Sequence, residues 1–196
     1  MSTVGVVNVG KHGAAESIMM LLHVGGEKLG KLKISVEEWL EEKQKEGVID
    51  IQNAVAVARC IGAAAGLLSG DHWLDAQLDT LGLLVYDMLQ KSEAWYQTAD
   101  EEERAALRNE LITEISQYYL HRFETAVKNN EGHFSSKLSW LDIFFFGALE
   151  VLEMYFGVSL IDGKFPFLLK LIEEVGRIPA IRDYIANRRN KALVPK

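Results

Sequence analysis

The sequence is short of cysteine and of positive charge, and each shortage excludes a class of protein. The single cysteine, Cys60, cannot form an intrachain disulfide, so the fold depends on a buried core rather than on covalent cross-links. With 196 residues the chain can bury such a core in one or two small domains. The 28 acidic against 21 basic residues give a net charge of −7, which argues against a nucleic-acid-binding protein.

Long apolar runs and early prolines are also missing. No stretch reaches the ~18 apolar residues that a membrane span requires. The first residues lack the basic start and apolar centre of a signal peptide, so we expect a cytoplasmic protein without a membrane span. Only three prolines occur, Pro166, Pro179 and Pro195, and none precedes Pro166.

The first third of the chain alternates between strand and helix patterns. Gly25 and Gly26 end the first helical pattern, Ser35 and Glu38 form a capping box, and Asn53 is a suitable cap for the last helix. The pattern predicts strands at residues 4–9, 28–34 and 48–51 and helices at residues 14–24, 35–45 and 54–65. We therefore expect a small α/β unit over residues 1–66.

The rest of the chain, residues 71–196, has no strand pattern. Helical spacing predicts helices at residues 71–94, 98–128, 139 onward, 166–175 and 179–188. Thr98 with Glu101 and Ser139 with Asp142 are capping boxes. Three consecutive phenylalanines, residues 144–146, spread over so much of the helix circumference that this helix should be buried on most sides. The predicted class is α/β followed by all-α.

Motifs for phosphate or metal are weak. Gly5, Gly10 and Lys11 match a phosphate-binding loop up to His12, where Ser or Thr should hold magnesium, so a plain glycine turn is favoured. The histidines lack ligand spacing, and there is no second cysteine for zinc. We expect no metal site. The histidines are His12, His23, His72, His121 and His133.

Aromatic residues in the helical part are candidates for lining a pocket for a flat apolar ligand. Such pockets have mostly aromatic and apolar walls with a few polar groups. The alternative is that these side chains belong to the core. The candidates are Tyr86, Trp95, Tyr118 and Phe145.

Several segments together resemble the cytosolic glutathione transferases. They are HRFETAVKNNEGHFSSKLSWLD at residues 121–142, IPAIRDYIANRR at residues 178–189 and QNAVAVAR at residues 52–59. Trp39, Lys43 and the pair Ala15 and Glu16 also fit. The details are similar to the sigma class, which includes prostaglandin D synthases and lens S-crystallins. The resemblance implies a thioredoxin-like domain at residues 1–66, an all-helical domain at residues 71–196, and a homodimer.

The family's thiolate-stabilising residues are replaced here. The resemblance places the catalytic tyrosine at Asn8, or at Val6 if the register slips, and the supporting arginine at Ala14. Neither change leaves a phenol or a positive charge to lower the thiol pKa from about 8.5. The acidic residue that reaches the partner's site in the family falls on Gly82, where close packing could favour a glycine.

The glutathione site itself is shortened. Asn53 follows Trp39 by only 14 positions, so the resemblance implies that about one strand and the cis-proline loop before it are missing. The remaining candidate glutathione contacts are Trp39, Lys43, Gln52 and Asn53. Loss of a strand exposes a sheet edge, which the rest of the chain or a partner subunit must cover.

Two functions follow from the resemblance. We expect a protein that has lost glutathione conjugation and serves as a non-catalytic ligand-binding, structural or interaction protein. It would have no cofactor and would bind glutathione weakly at most. It would form a homodimer and bind a small apolar ligand. The alternative is an active sigma-type transferase or isomerase in which Asn8, His12 or Ser17 stabilises the thiolate.

Overall fold

The structure, a computed structural model, describes residues 13–32, 51–161 and 163–192. Every regular element within these ranges is helical. A 3₁₀ turn at Gly26–Leu29 follows the first helix, and a π-helical turn at Ile115–Leu120 joins the fourth and fifth. The helices are α1 (Gly13–Gly25), α2 (Ile51–Ala65), α3 (His72–Tyr96), α4 (Glu101–Glu114), α5 (His121–Asn129), α6 (Trp140–Phe156), α7 (Pro166–Gly176) and α8 (Pro179–Ala192).

The predicted strand at residues 28–34 is wrong where the structure describes it. Residues 26–29 form the 3₁₀ turn, and residues 31–32 are helical. Gly26 and Gly30 have φ of +51° and +48°, values outside the extended region that a strand requires. The chain therefore turns tightly here and buries Leu29. The predicted strand at 4–9 and helix at 35–45 lie outside the described residues.

Two predicted helix caps are also wrong. The second helix begins at Ile51, so Asn53 and the end of the strand predicted at 48–51 lie inside α2. For α4 the cap is Asp100, not Thr98: the Asp100 carboxylate accepts the backbone N–H groups of Glu102 and Glu103 at 2.9 and 3.0 Å. The Thr98 hydroxyl instead donates back to the carbonyl of Ala94 in α3.

The centre of the fold is α6, and its predicted start is confirmed. Ser139 and Asp142 form the capping box, with the Asp142 carboxylate accepting the Ser139 N–H at 2.6 Å. The three phenylalanines that follow are buried, as predicted. Gly157 ends the helix in the left-handed conformation, at φ +66°.

Helix α1 packs closely across α6. A Cβ on Gly147 would lie 2.7 Å from the Cα of Ser17, so only glycine allows this approach. The hydroxyl of Ser17 donates to the carbonyl of Phe144 at 2.8 Å and is fully buried. The helix from the predicted α/β unit therefore shares one core with the helices of the predicted all-α unit.

Candidate functional site

The N-terminal end of α1 is the part of the expected glutathione site that the structure describes. A Cβ on Gly13 would lie 3.2 Å from Leu89, 3.5 Å from Val151 and 3.9 Å from the hydroxyl of Tyr155. Residues of α3 and α6 thus crowd the first residue of α1. The position at which the resemblance places an arginine, Ala14, is buried in this first turn and carries no charge.

The polar side chains in the first two turns of α1 already have partners. Glu16 is buried and accepts a hydrogen bond from the hydroxyl of Tyr184 at 3.1 Å. Ser17 is bound to Phe144 inside the α1–α6 contact. Ser17 was one of the three candidates for stabilising a thiolate, and in this arrangement its proton is directed at a backbone carbonyl.

Tyr155 is a polar group of this region that the sequence did not single out. Its hydroxyl is buried and has no hydrogen-bond partner among the described residues. Its ring stacks on that of Tyr96, with centroids 4.3 Å apart. Burial first, and then the nearby Glu93 and Tyr96, raise the pKa of Tyr155, so the phenol stays protonated at neutral pH. Tyr155 lies where α6 packs against α3 and near the start of α1, and no local sequence pattern indicates these contacts.

Two of the four pocket candidates lie in α3. Tyr86 is buried. Trp95 stacks on Phe156 with centroids 4.6 Å apart, and its indole N–H donates to the carbonyl of Arg104 at 2.8 Å. The polar end of Trp95 is therefore occupied by a carbonyl in the first turn of α4.

The other two candidates have different surroundings from each other. Phe145 is fully buried, and its ring contacts Phe123 and Phe134 edge-on. Tyr118 is 45% exposed and lies under the guanidinium of Arg122, 3.7 Å from the ring centroid. Phe145 thus belongs to the core cluster, whereas Tyr118 is on the surface of the π-helical turn.

Close packing against Trp140 explains why position 82 is a glycine. A Cβ there would lie 2.7 Å from Cη2 of Trp140 and 3.3 Å from Val55. The indole of Trp140 occupies the space that a side chain would need. An acidic residue at this position would not fit while Trp140 keeps its place in the core.

The remaining glutathione candidates are only partly described. Asn8, Trp39 and Lys43 lie outside the described residues, and Gln52 and Asn53 are described only as backbone of the first turn of α2. Within the described part of the chain no three His, Cys, Asp or Glu side chains are grouped as metal ligands would be. None of the described helices is both long and apolar enough to cross a membrane.

Comparison with known proteins assigns the helical architecture to a family. Residues 86–188, more than half of the chain, match the model of the glutathione S-transferase C-terminal domain. The chain therefore belongs to the glutathione S-transferase family, which confirms the assignment made from its motifs.

Individual relatives agree with the family assignment. Glutathione S-transferase S1 of Drosophila melanogaster is 24% identical over 186 residues, covering 89% of this chain and 74% of the relative. A glutathione S-transferase of Anopheles gambiae is 27% identical over 188 residues, covering 88% and 90%. The structure of prostaglandin synthase D of Nilaparvata lugens is similar at a TM-score of 0.62 and 29% identity, covering 72% of this chain and 69% of that one.

Proposed function

We propose that this glutathione S-transferase family member has lost glutathione conjugation and serves as a non-catalytic ligand-binding, structural or interaction protein. Its residues 1–66 would be a thioredoxin-like domain that lacks about one strand and the cis-proline loop, and residues 71–196 the all-helical domain. The observation that carries the proposal is the first turn of α1, where Ala14 is a buried, uncharged residue at the position of the family's arginine.

Two further features support the loss of conjugation. The aligned tyrosine position holds Asn8, and no proline before Pro166 can form the family's backbone clamp on glutathione. Removal of one hydrogen-bond donor to a developing charge commonly costs about 10²–10³ in rate. A chain without the phenol, the guanidinium and the clamp retains only Trp39, Lys43, Gln52 and Asn53 as candidate contacts, which fits at most weak glutathione binding.

The alternative function is an active sigma-type transferase or isomerase with a rearranged site. It requires Asn8, His12 or Ser17 to stabilise the thiolate. The contact of the Ser17 hydroxyl with Phe144 weighs against Ser17, because a proton already donated to a backbone carbonyl is not available to sulfur. Asn8 and His12 remain the candidates for this function.

Calorimetric titration with glutathione separates the two functions. We expect millimolar binding or none, together with negligible conjugation of glutathione to chlorodinitrobenzene. Micromolar binding with turnover that disappears in an Asn8→Ala variant would establish the alternative. Turnover retained by Asn8→Ala but lost in His12→Ala would assign the same alternative to His12.

The proposed partners are a second copy of the chain and a small apolar ligand, in the cytoplasm. Exposed apolar side chains on α3 support a homodimer: Trp73 is 75% exposed and Leu83 54% exposed. The apolar ligand would be held by aromatic side chains, for which the sequence candidates are Tyr86, Trp95, Tyr118 and Phe145. Phe145 is packed in the core and Tyr118 lies on the surface, so these two would not line the same pocket. No nucleic acid is proposed, because the chain carries a net charge of −7.

A further inference from the structure

His133 lies in the loop between α5 and α6, with a carboxylate facing each nitrogen of its ring. Its Nδ1 is 3.6 Å from Oδ1 of Asp142, in the first turn of α6. Its Nε2 is 3.9 Å from Oε2 of Glu174, in α7. The side chain is only 24% exposed, so water screens these two contacts incompletely. One imidazole thus connects the loop to two helices.

The arrangement suits only the charged form of the ring. An imidazolium has an N–H on both nitrogens, whereas a neutral imidazole has one N–H and one lone pair. A neutral His133 would therefore direct a lone pair at one of the two carboxylates. At 3.6 and 3.9 Å the contacts are ion pairs rather than short hydrogen bonds, so their strength depends on the ring's charge.

Asp142 is committed to the acceptor role. Its oxygens accept the N–H of Phe134 at 2.9 Å, and the N–H and hydroxyl of Ser139 at 2.6 and 2.7 Å. This carboxylate therefore holds both the start of α6 and the loop residue next to His133. A change in the charge of His133 acts directly on the group that caps the central helix.

The groups around His133 shift the pKa of its ring in opposite directions. The contact with Asp142 raises the pKa of His133 most strongly, burial opposes this, Glu174 adds to the increase, and Lys170 works against it. Lys170 is itself paired with Glu174 at 3.7 Å within α7. The two acidic partners outweigh both burial and Lys170, so the pKa of His133 is raised.

We propose that His133 forms a pH-dependent ion-pair contact that joins the loop at residues 130–139 and the C-terminal half of α7 to the start of α6. The contact is made while the ring is charged and is lost when the ring loses its proton. Because the folded-state pKa of His133 lies above that of the unfolded chain, its contribution to stability is complete below about pH 6.5. That contribution is lost as the pH rises through the folded-state value.

Within α7, the effect of pH is confined to the C-terminal end of the helix. Its N-terminal end is held separately, because the Glu124 carboxylate accepts the N–H groups of Phe167 and Leu168 at 3.0 and 2.8 Å. This contact does not involve a histidine. The pH response is therefore expected at the end of α7 that carries Glu174, and not at the end that begins with Pro166.

The test uses the full chain and two histidine variants. In NMR titration the ring of His133 should titrate above the ~6.5 of an ordinary histidine. Hydrogen exchange should be corrected for the intrinsic effect of pH. Once the ring is neutral, protection of the loop and of the C-terminal end of α7 should fall about two- to fivefold, which is the effect expected from loss of a partly exposed ion pair. His133→Gln should show the reduced protection at every pH. The control, His72→Gln at an exposed position, should keep the wild-type response.

A second variant keeps the proposal testable if His133→Gln does not fold. Glu174→Gln removes one of the two carboxylates and should lower the titration point of His133 while leaving the capping box intact. Titration of His133 at or below 6.5, a wild-type pH response in His133→Gln, or no change of titration in Glu174→Gln would each overturn the proposal.

Discussion

At the scale of single residues, two buried tyrosines differ in what their hydroxyls contact. Tyr119 donates to a carboxylate oxygen of Asp87 at 2.5 Å, whereas Tyr155 has no hydrogen-bond partner among the described residues. Burial and the bond to Asp87 raise the pKa of Tyr119 to about 12, and the pKa of Tyr155 is also raised, so both phenols are protonated at neutral pH. Removing the Tyr119 hydroxyl measures the free energy lost with an existing hydrogen bond. Removing the Tyr155 hydroxyl measures the cost of burying a polar group without a hydrogen bond.

The expected effects of removing the two hydroxyls therefore have different size. Tyr119→Phe should lower the free energy of unfolding by about 1–3 kcal/mol, since it breaks a bond to a charged acceptor. Tyr155→Phe should leave that free energy unchanged or raise it by up to about 1 kcal/mol, because it removes an unsatisfied buried group. Urea denaturation of both variants measures the difference. Equal destabilisation would show that Tyr155 has a partner in the folded protein.

At the scale of helices and turns, the sequence predicted those features that depend on neighbours in the chain. The capping box of Ser139 and Asp142 and the buried phenylalanines after it are local patterns, and both are confirmed. The cap of α4 was misplaced by two residues because Thr98 and Asp100 are both competent caps. The π-helical turn at Ile115–Leu120 was missed because an amphipathic pattern continues through it.

The cap of α7 is an element-scale contact that no local pattern could predict. Pro166 marks the start of the helix correctly, but Glu124, which accepts the first N–H groups, comes from α5. Glu124 reaches the first turn of α7 only when α5 and α7 are packed together. A capping residue more than forty positions away leaves no sequence signature of the kind that a capping box has.

This contact gives the second prediction. Glu124→Gln should destabilise the protein by about 1 kcal/mol, because it removes the charge and one of two acceptor oxygens from a helix N-terminus. Hydrogen exchange should show the loss of protection in the first turn of α7. Glu110→Gln, at an exposed position in α4, is the control and should stay within about 0.5 kcal/mol of the wild type. Similar stability of the two variants would contradict a capping role for Glu124.

At the scale of the whole molecule, the candidate site was harder to predict than the fold. Family membership follows from motifs along the chain, and it is confirmed over residues 86–188. The four aromatic candidates share a residue type but not a place, since Phe145 is in the core and Tyr118 on the surface. Burial depends on which faces of the helices meet, and that is a property of the assembled fold. The thioredoxin-like domain at residues 1–66 stays a prediction.

The last prediction concerns the proposed homodimer. Trp73, Thr80 and Leu83 are exposed and lie at helical spacing on one face of α3, so two large apolar side chains face water along it. We expect wild-type protein to sediment as a dimer at micromolar concentration, because covering this face with a second copy buries both side chains. Leu83→Glu should shift it to a monomer without unfolding it. Leu169→Glu, which places the same charge at an exposed leucine of α7, should remain dimeric. A monodisperse wild-type monomer would contradict the homodimer, and a dimer that survives Leu83→Glu would place its interface elsewhere.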